Sequence, residues 1–229
     1  MKTDFINNMT HEFKTPIATI SLAADSISNP KVKSNESMIE RYADIIRQEN
    51  KRMLTQVEKV LQIARLDKKD FQLKLIQLNI NDMVHTAAEN SRLRANEKGG
   101  KIVVNINSKN SQIEGDENHI SNVLHNLIDN AIKYSGEVPE ITIETRDTKT
   151  GVKVGIQDNG IGISKEDQKR IFEKFYRVST GNLHDVKGFG LGLSYVKAIM
   201  DAHKGEISVS SELGKGSLFS VSFPHRAES

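Results

Sequence analysis

Phe5-Ile6-Asn7-Asn8-Met9-Thr10-His11-Glu12-Phe13-Lys14-Thr15-Pro16 opens a glycine-free region that runs to about residue 66. Its apolar residues continue as Ile6, Met9, Phe13, Ile17, Ile20, Ala24 and Ile27, in the steps of three and four that mark one helix face. At ~100° per residue, His11 falls roughly 160° from the middle of that stripe, so the spacing predicts an imidazole turned to water. Near neutral pH such a ring is largely uncharged, and one nitrogen keeps a lone pair that can attack phosphorus. The adjacent Glu12 can take the proton from the other nitrogen, and Thr15 lies one turn on, where its hydroxyl can orient a water. Pro16 removes one backbone hydrogen bond and predicts a kink just after the histidine. Taken alone, the plainer reading of an exposed histidine is a solvated one.

A second stripe, Ile39, Tyr42, Ile46, Met53, Val57, Val60 and Ala64, follows the break at Asn29-Pro30 through Asn35 and is interrupted by Glu49 and Asn50. Two helices joined by a short connection make an antiparallel hairpin. One hairpin leaves apolar surface wet, and pairing with a second copy into a four-helix bundle removes it, so a homodimer is expected. Beyond Leu66, the charged connector Asp67-Lys68-Lys69-Asp70 leads into a region with a different texture. Period-two runs at 101–107, 140–145, 152–157, 206–210 and 217–223 alternate with helical patterns near 81–97, 116–134, 165–172 and 191–202. That mixture predicts an α+β two-layer sandwich over 76–225, with 67–75 as linker and hinge and 226–229 as a tail.

Composition narrows the functions. The 229 residues hold 32 Lys and Arg against 30 Asp and Glu, for a net charge of +2, which argues against a dedicated nucleic-acid binder. Aromatics are 5% with no Trp, a poor basis for a base-stacking platform. No cysteine is present, which removes disulfides, thiolate metal sites and a cysteine nucleophile. No apolar run reaches the ~18 residues a membrane span needs, and no signal-peptide core is present.

Three further signals fall in the second region. Asp158-Asn159-Gly160-Ile161-Gly162 follows a strand-like run; its glycines permit a tight turn and a close approach, and its carboxylate can accept from an exocyclic amino group such as adenine's. A plain turn also explains it. Gly188-Phe189-Gly190-Leu191-Gly192-Leu193 opens onto a helical stretch, where free N–H groups and the helix dipole favour phosphate. It is neither a dinucleotide fingerprint nor a P-loop. The polar segment before it, Val178 to Lys187, reads as a lid. Finally Asn122, Asn126, Asn130 and Lys133 share one helix face, away from Leu124, Leu127 and Ala131. A solvated face explains them, and so does a site in which amide oxygens ligate Mg²⁺ beside phosphates.

Read together and in order, the motifs His-Glu-x-x-Thr-Pro, Asn-x-x-x-Asn-Ala-x-Lys-Tyr, Asp-x-Gly-x-Gly, Phe-Glu-x-Phe-Tyr-Arg and Gly-x-Gly-Leu-Gly-Leu resemble the H, N, G1, F and G2 boxes of the sensor histidine kinases of bacterial two-component systems. The resemblance covers nearly the whole chain. It implies that 1–66 is a dimerisation and histidine-phosphotransfer hairpin, and that 76–225 is an ATP-binding domain of the gyrase, chaperone, kinase and MutL class. His11 is then the phosphoacceptor, with Glu12 its general base and Thr15 at the family's phosphatase position. Asn130 is implied to hold Mg²⁺ with Asn126 helping, Lys133 and Tyr134 to contact ATP, and Asp158 to accept from adenine. Gly160 and Gly162 are implied to shape that pocket, Gly188, Gly190, Leu191 and Gly192 to border the phosphates, and Arg177 to reach the transferring phosphoryl group. Gly214-Lys215-Gly216-Ser217 resembles the late glycine box, although a hairpin turn needs no ligand to explain it.

The implied reaction is autophosphorylation of His11 by ATP and transfer to an aspartate of a response regulator, together with dephosphorylation of that regulator. Such kinases are usually membrane-bound, so the chain is expected to be the cytoplasmic part of an inner-membrane sensor, itself without membrane contact. Two rivals carry distinct expectations. An ATPase of the same class that only hydrolyses predicts no phosphate on His11, and a silent dimeric scaffold predicts degraded His, Asn or Asp motifs.

Overall fold

The computed structural model describes residues 2–66, 72–178 and 190–225, without the side chains of residues 2–8, 11, 12, 59 and 62–66. The chain divides into two compact units: of the described residues, 2–66 together with 190–191 form the first, and 72–178 together with 192–225 the second.

The first unit is the expected hairpin. Helix α1 (Lys2–Ser28) packs along α3 (Glu36–Leu66), and the connection carries one further helical turn, α2 (Pro30–Lys33). Asn29 caps that turn by accepting the Lys31 N–H at 3.0 Å, and Pro30 occupies the first helical position, where an N–H is not needed. Helix α1 runs through Pro16 without a break, and Pro16 is buried. The seam with α3 does not follow the centre of the expected stripe. Ala23 is buried and Ile20 and Ile27 half-buried, whereas Ile17 and Ala24 stay exposed. One partner helix covers only part of so wide an apolar face. Leu22 (69% exposed) and, on α3, Leu54 (60%) are left open.

The second unit is a two-layer sandwich. A five-stranded sheet has the order β2 (Lys101–Ile106), β4 (Glu140–Asp147), β5 (Gly151–Gln157), β7 (Gly216–Pro224), β6 (Glu206–Glu212). The β2–β4 pair is parallel and the others antiparallel. Alternate residues Ile141, Ile143, Val152, Val154, Ile156, Phe219, Val221 and Phe223 are buried on one face, where three helices supply their own apolar sides. These helices are α4 (Ile80–Asn96), α5 (Glu117–Tyr134) and α6 (Gly192–Ala202). The other face presents Thr142, Lys153, Gln157, Ser208 and Ser222, half-buried or exposed, which is the polar-out alternation of a sheet packed on one side only.

Two elements depart from the sequence expectation. A short antiparallel ladder, β1 (Ile76–Asn79) with β3 (Gln112–Gly115), lies outside the main sheet, its strands too short for a period-two pattern to register. Residues 165–172 do not form a helix but a 3₁₀ turn at Asp167–Lys169 with further turns after it. Local side chains outcompete the helix there: Ser164 and Asp167 bond each other, and Gln168 Nε2 donates to the carbonyls of Ile163 and Ser211 at 2.7 and 2.9 Å.

The connector expected as a hinge falls partly outside the described residues, at 67–71. Its end is tied down: the Lys74 N–H donates to Asp116 Oδ2 at 2.9 Å, while Asp116 Oδ1 caps α5 by accepting the His119 N–H at 3.2 Å. Burial pushes the Asp116 carboxyl up, but the N–H bonds from Lys74 and His119, with the nearby His119 charge, hold it below the ordinary range.

Candidate functional site

Helix α5 is the rail on which the second unit's candidate residues are mounted. Ile120, Val123, Leu124, Leu127, Ile128 and Ala131 bury one side of it in the core. Asn122, Asn126, Asn130 and Lys133 therefore lie on the opposite side, yet they are half-buried and not a freely solvated face. Asn122 is spoken for by structure: its side chain bonds Tyr195 of α6, and its carbonyl accepts the Asn126 amide N–H at 2.8 Å. Tyr195 is also bonded to His119 Nδ1 at 2.8 Å, and burial, partly offset by the Asn122 bond, pushes its phenol up to about 12. With its nitrogen committed to Asn122, Asn126 turns its oxygen toward α6. A side chain at Gly192, the first residue of α6, would come within 3.0 Å of that oxygen. Gly192 thus lets the helix N-terminus approach the asparagine face. Gly190 adopts a left-handed φ of +68°, and Leu191 follows it immediately before the helix. Gly188 lies outside the described residues.

The other end of α5 meets the Asp158–Gly162 turn. The Ile161 N–H donates to the Tyr134 carbonyl at 3.1 Å, and Ser135 pairs with Gly160 in an isolated bridge. A Cβ at Gly160 would stand 2.3 Å from the Tyr134 carbonyl oxygen, and one at Gly162, where φ is +69°, would stand 2.0 Å from the Glu212 oxygen. Neither position accepts another residue without moving backbone. Asn159, between them, accepts the Glu140 N–H and donates to the Val138 carbonyl, both at 3.0 Å, and so fastens the turn to the entry of β4.

Asp158 is buried to 6% exposure, and its Oδ1 accepts the N–H groups of Gly160 and Ser217 at 2.8 and 3.1 Å. Neither bond uses Oδ2. Burial pushes the carboxyl above its ordinary range despite those two bonds. Ser217 lies in the stretch that resembles the late glycine box and that a hairpin turn also explains; its role as second donor follows from Gly216, where a Cβ would meet the Asp158 carbonyl oxygen at 2.0 Å. The sequence carried that signal in the glycine beside the serine.

Lys133 Nζ lies 5.2 Å from the centre of the Tyr134 ring. Burial raises the Tyr134 phenol, and the Arg177 charge pulls it partly back, which puts the arginine within electrostatic reach of the C-terminal end of α5. Arg177 itself is exposed.

In the first unit, His11 and Glu12 lie in the body of α1, and their side chains are outside the described residues, as is the expected exposure of the imidazole. Thr15 is exposed one turn later, and its carbonyl accepts the Thr19 hydroxyl at 3.1 Å. Among the described residues no cluster of His, Cys, Asp and Glu could hold a metal. Hard oxygen donors from asparagine amides remain, the Asn126 oxygen that faces the start of α6 among them, and such donors are of the type magnesium accepts beside water and phosphate ligands.

Comparison with known proteins bears on both units. The model of the His Kinase A phospho-acceptor domain matches residues 1–69, and that of the histidine kinase-, DNA gyrase B- and HSP90-like ATPases matches residues 115–227. This chain belongs to the sensor histidine kinase family. Among curated relatives of these kinases, sensor protein RprX of Bacteroides fragilis is 48% identical over 226 residues, covering 98% of this chain and 44% of that protein. Sensor histidine kinase WalK of Bacillus subtilis is 29% identical over 227 residues, 98% of this chain and 37% of WalK. The chain thus spans less than half the length of either. Among solved kinases, full-length ShkA in complex with AMPPNP superposes with a TM-score of 0.73 at 27% identity, over 96% of this chain and 45% of ShkA. The helical hairpin followed by an α/β sandwich ATPase domain is the family's architecture. No helix among the described residues is long and apolar enough to cross a membrane.

Proposed function

We propose that this chain is an ATP-dependent protein histidine kinase that phosphorylates its own His11 and passes the phosphoryl group to an aspartate of a response regulator. One arrangement carries the reading. A buried carboxylate suited to an exocyclic amino group sits at one end of α5, and an amide oxygen facing a helix N-terminus sits eight residues earlier. At 1.5 Å per residue those ends are ~12 Å apart, about the reach of an extended nucleoside triphosphate. Asp158 would accept from adenine, with Gly160 and Gly162 keeping the pocket open to the base. Asn126 and Asn130 would hold Mg²⁺, while Lys133, Tyr134, Gly188, Gly190, Leu191 and Gly192 would line the ribose and phosphates. Bound there, Mg²⁺ supplies charge neutralisation on the phosphate oxygens.

In the reaction, the lone pair of a neutral His11 nitrogen forms the N–P bond. The bond from the γ-phosphorus to its bridging oxygen breaks, and that electron pair leaves on ADP. The other imidazole nitrogen gives its proton to Glu12. Arg177 would stabilise the charge on the transferring group, which in a loose phosphoryl-transfer transition state matters more than covalent help. The aspartate of the regulator then takes the phosphoryl group, its oxygen replacing the histidine nitrogen on phosphorus. Two hairpins packed into a four-helix bundle would cover Ile17, Leu22 and Leu54, which supports a homodimer. Thr15, exposed beside the acceptor turn, would orient the water that dephosphorylates the regulator.

Incubation with γ-labelled ATP and Mg²⁺ tests the central claim: acid-labile, base-stable label is expected in the native protein and not in His11→Gln. Label retained in the variant overturns the acceptor assignment. For the phosphatase role, equal regulator-phosphate lifetimes with native protein and Thr15→Ala would remove it.

A further inference from the structure

Between the Asp158 turn and Arg177, the segment 164–177 carries a linked set of side-chain bonds to which neither adenine nor metal binding assigns a purpose. Ser164 Oγ accepts the Asp167 N–H at 3.0 Å and donates to Asp167 Oδ2. The second carboxylate oxygen, Oδ1, accepts the Tyr176 hydroxyl. On the tyrosine ring lies the Arg170 guanidinium, 4.2 Å from the centroid, and Arg170 in turn is 3.5 Å from Glu173. Gln168 anchors the base of the segment to β6 through the Ser211 carbonyl and bonds the carbonyl of Ile163 just before it. The clasped tyrosine stands between two unusual neighbours. Phe175 is held at a φ of +69°, a conformation that bulky residues avoid, and Arg177 is the residue read above as reaching the phosphoryl group.

We propose that Asp167 and Tyr176 are positioning residues for Arg177, the Ser164–Asp167–Tyr176 bonds fixing the backbone from which the guanidinium is presented to the nucleotide. The inference rests on the role given to Arg177 above. A turn segment otherwise samples many backbone states, and ordering it at each turnover opposes the reaction. Pinning residue 176 through its far end, against a carboxylate fixed at both oxygens, does that ordering in advance. The bonds from Ser164 and Tyr176 hold the Asp167 carboxyl below the ordinary range, so the acceptor is ionised throughout the neutral region and the clasp is closed there.

The test is a double-mutant cycle on autophosphorylation by the whole chain, with nucleotide affinity measured separately. Tyr176→Phe keeps the ring and the Arg170 contact and deletes only the hydroxyl. Its autophosphorylation rate should fall about tenfold, the loss of one charge-assisted hydrogen bond, while ATP affinity and melting temperature hold. Asp167→Ala should match it, and Asp167→Asn, which retains an acceptor oxygen, should recover most of the rate. Arg177→Ala should lower the rate at least about 100-fold, and adding Tyr176→Phe to it should cost nothing more. Additive losses, or an unchanged rate in Tyr176→Phe beside a slow Arg177→Ala, overturn the clasp alone. A full rate in Arg177→Ala overturns the role of the arginine and the clasp with it.

Discussion

Consider Asp158→Asn, which changes the chemistry of one buried side chain and leaves its shape intact. In the native protein Oδ1 accepts from Gly160 and Ser217, and Oδ2 is the oxygen that would meet the adenine amino group. Asparagine can keep its oxygen toward the two N–H groups, but its NH₂ then faces another donor. The hydrogen bond lost is one to a charged group, worth ~1.5–3 kcal/mol, so the dissociation constant for ATP should rise ~10- to 150-fold. Stability should move the other way. Because burial raises the Asp158 carboxyl in the folded state, the folded protein holds that proton more tightly than the unfolded chain. Its contribution to stability therefore falls as pH rises from the ordinary value of 3.8 through the raised one, and above both the ionised group is a standing cost. The neutral amide removes that cost. Calorimetric titration with ATP and a thermal melt at pH 7 should thus diverge: weaker binding, with a melting temperature no lower than native. Inosine triphosphate, which carries a carbonyl where adenine has its amino group, should gain relative to ATP. An ATP affinity within threefold of native would refute the assignment of Asp158 to the base. A melting temperature that falls with the affinity would mean that the carboxylate serves the fold instead.

Gly162→Ala places a Cβ 2.0 Å from the Glu212 oxygen at a φ of +69°, and should destabilise the second unit by about 1–3 kcal/mol, seen as a drop of roughly 2–12 °C by scanning calorimetry. For His203, the Asp116 N–H donates to Nε2 at 3.0 Å, so Nδ1 carries the proton toward the Ile199 carbonyl at 2.8 Å. Burial lowers the His203 value below 6.5, so the unfolded state binds the extra proton first and stability is lost as pH falls through 6.5; denaturant midpoints should show that loss in native protein and a flatter profile in His203→Gln. Leu22→Arg puts a charge on apolar surface that the hairpin leaves 69% exposed, and should shift the protein from dimer to monomer in sedimentation equilibrium; an unchanged mass would move the dimer seam elsewhere.

Much of this was legible in the sequence where one local rule dominated. Helices α4, α5 and α6 follow the apolar period within a residue or two, since each buries a single face against the sheet. The Asp158 turn was legible because its glycines have no substitute. What escaped were features set by side-chain competition and by long-range pairing. Residues 165–172 have few apolar positions, and the Ser164 hydroxyl takes the Asp167 N–H while the Asp167 carboxylate takes the hydroxyls of Ser164 and Tyr176, bonds that only the folded segment reveals. The β1–β3 ladder joins residues more than thirty positions apart over only four pairs, so neither strand shows a pattern by itself. On α1 the apolar stripe was read correctly as a stripe, but the seam shifted to Ala23, because a sequence does not say how many helices share one face.

Three places where this fold works against its own stability lie at residues of the proposed chemistry or within two positions of one. Asp158 is an ionisable group held buried, with the N–H bonds from Gly160 and Ser217 both on one oxygen. Gly192 gives up a side chain at a helix start, where many residues would propagate the helix better, and the space so left faces Asn126. Phe175 occupies a left-handed conformation beside Arg177. A core under selection for stability alone would fill, neutralise or relax each of these, as the neighbouring Leu124, Leu127 and Ala131 side of α5 is filled. The first two meet α5, and Arg177, two residues after the third, acts electrostatically on Tyr134 at the end of that helix, so one shared ligand accounts for them better than three unrelated defects. Saturating ATP and magnesium should therefore raise the melting temperature of the second unit in the native protein, by mass action on the folded state. The same addition should leave Asp158→Asn nearly unmoved at nucleotide concentrations below its weakened dissociation constant. Equal shifts in the two proteins would place the nucleotide away from α5 and leave the strained positions without a common cause.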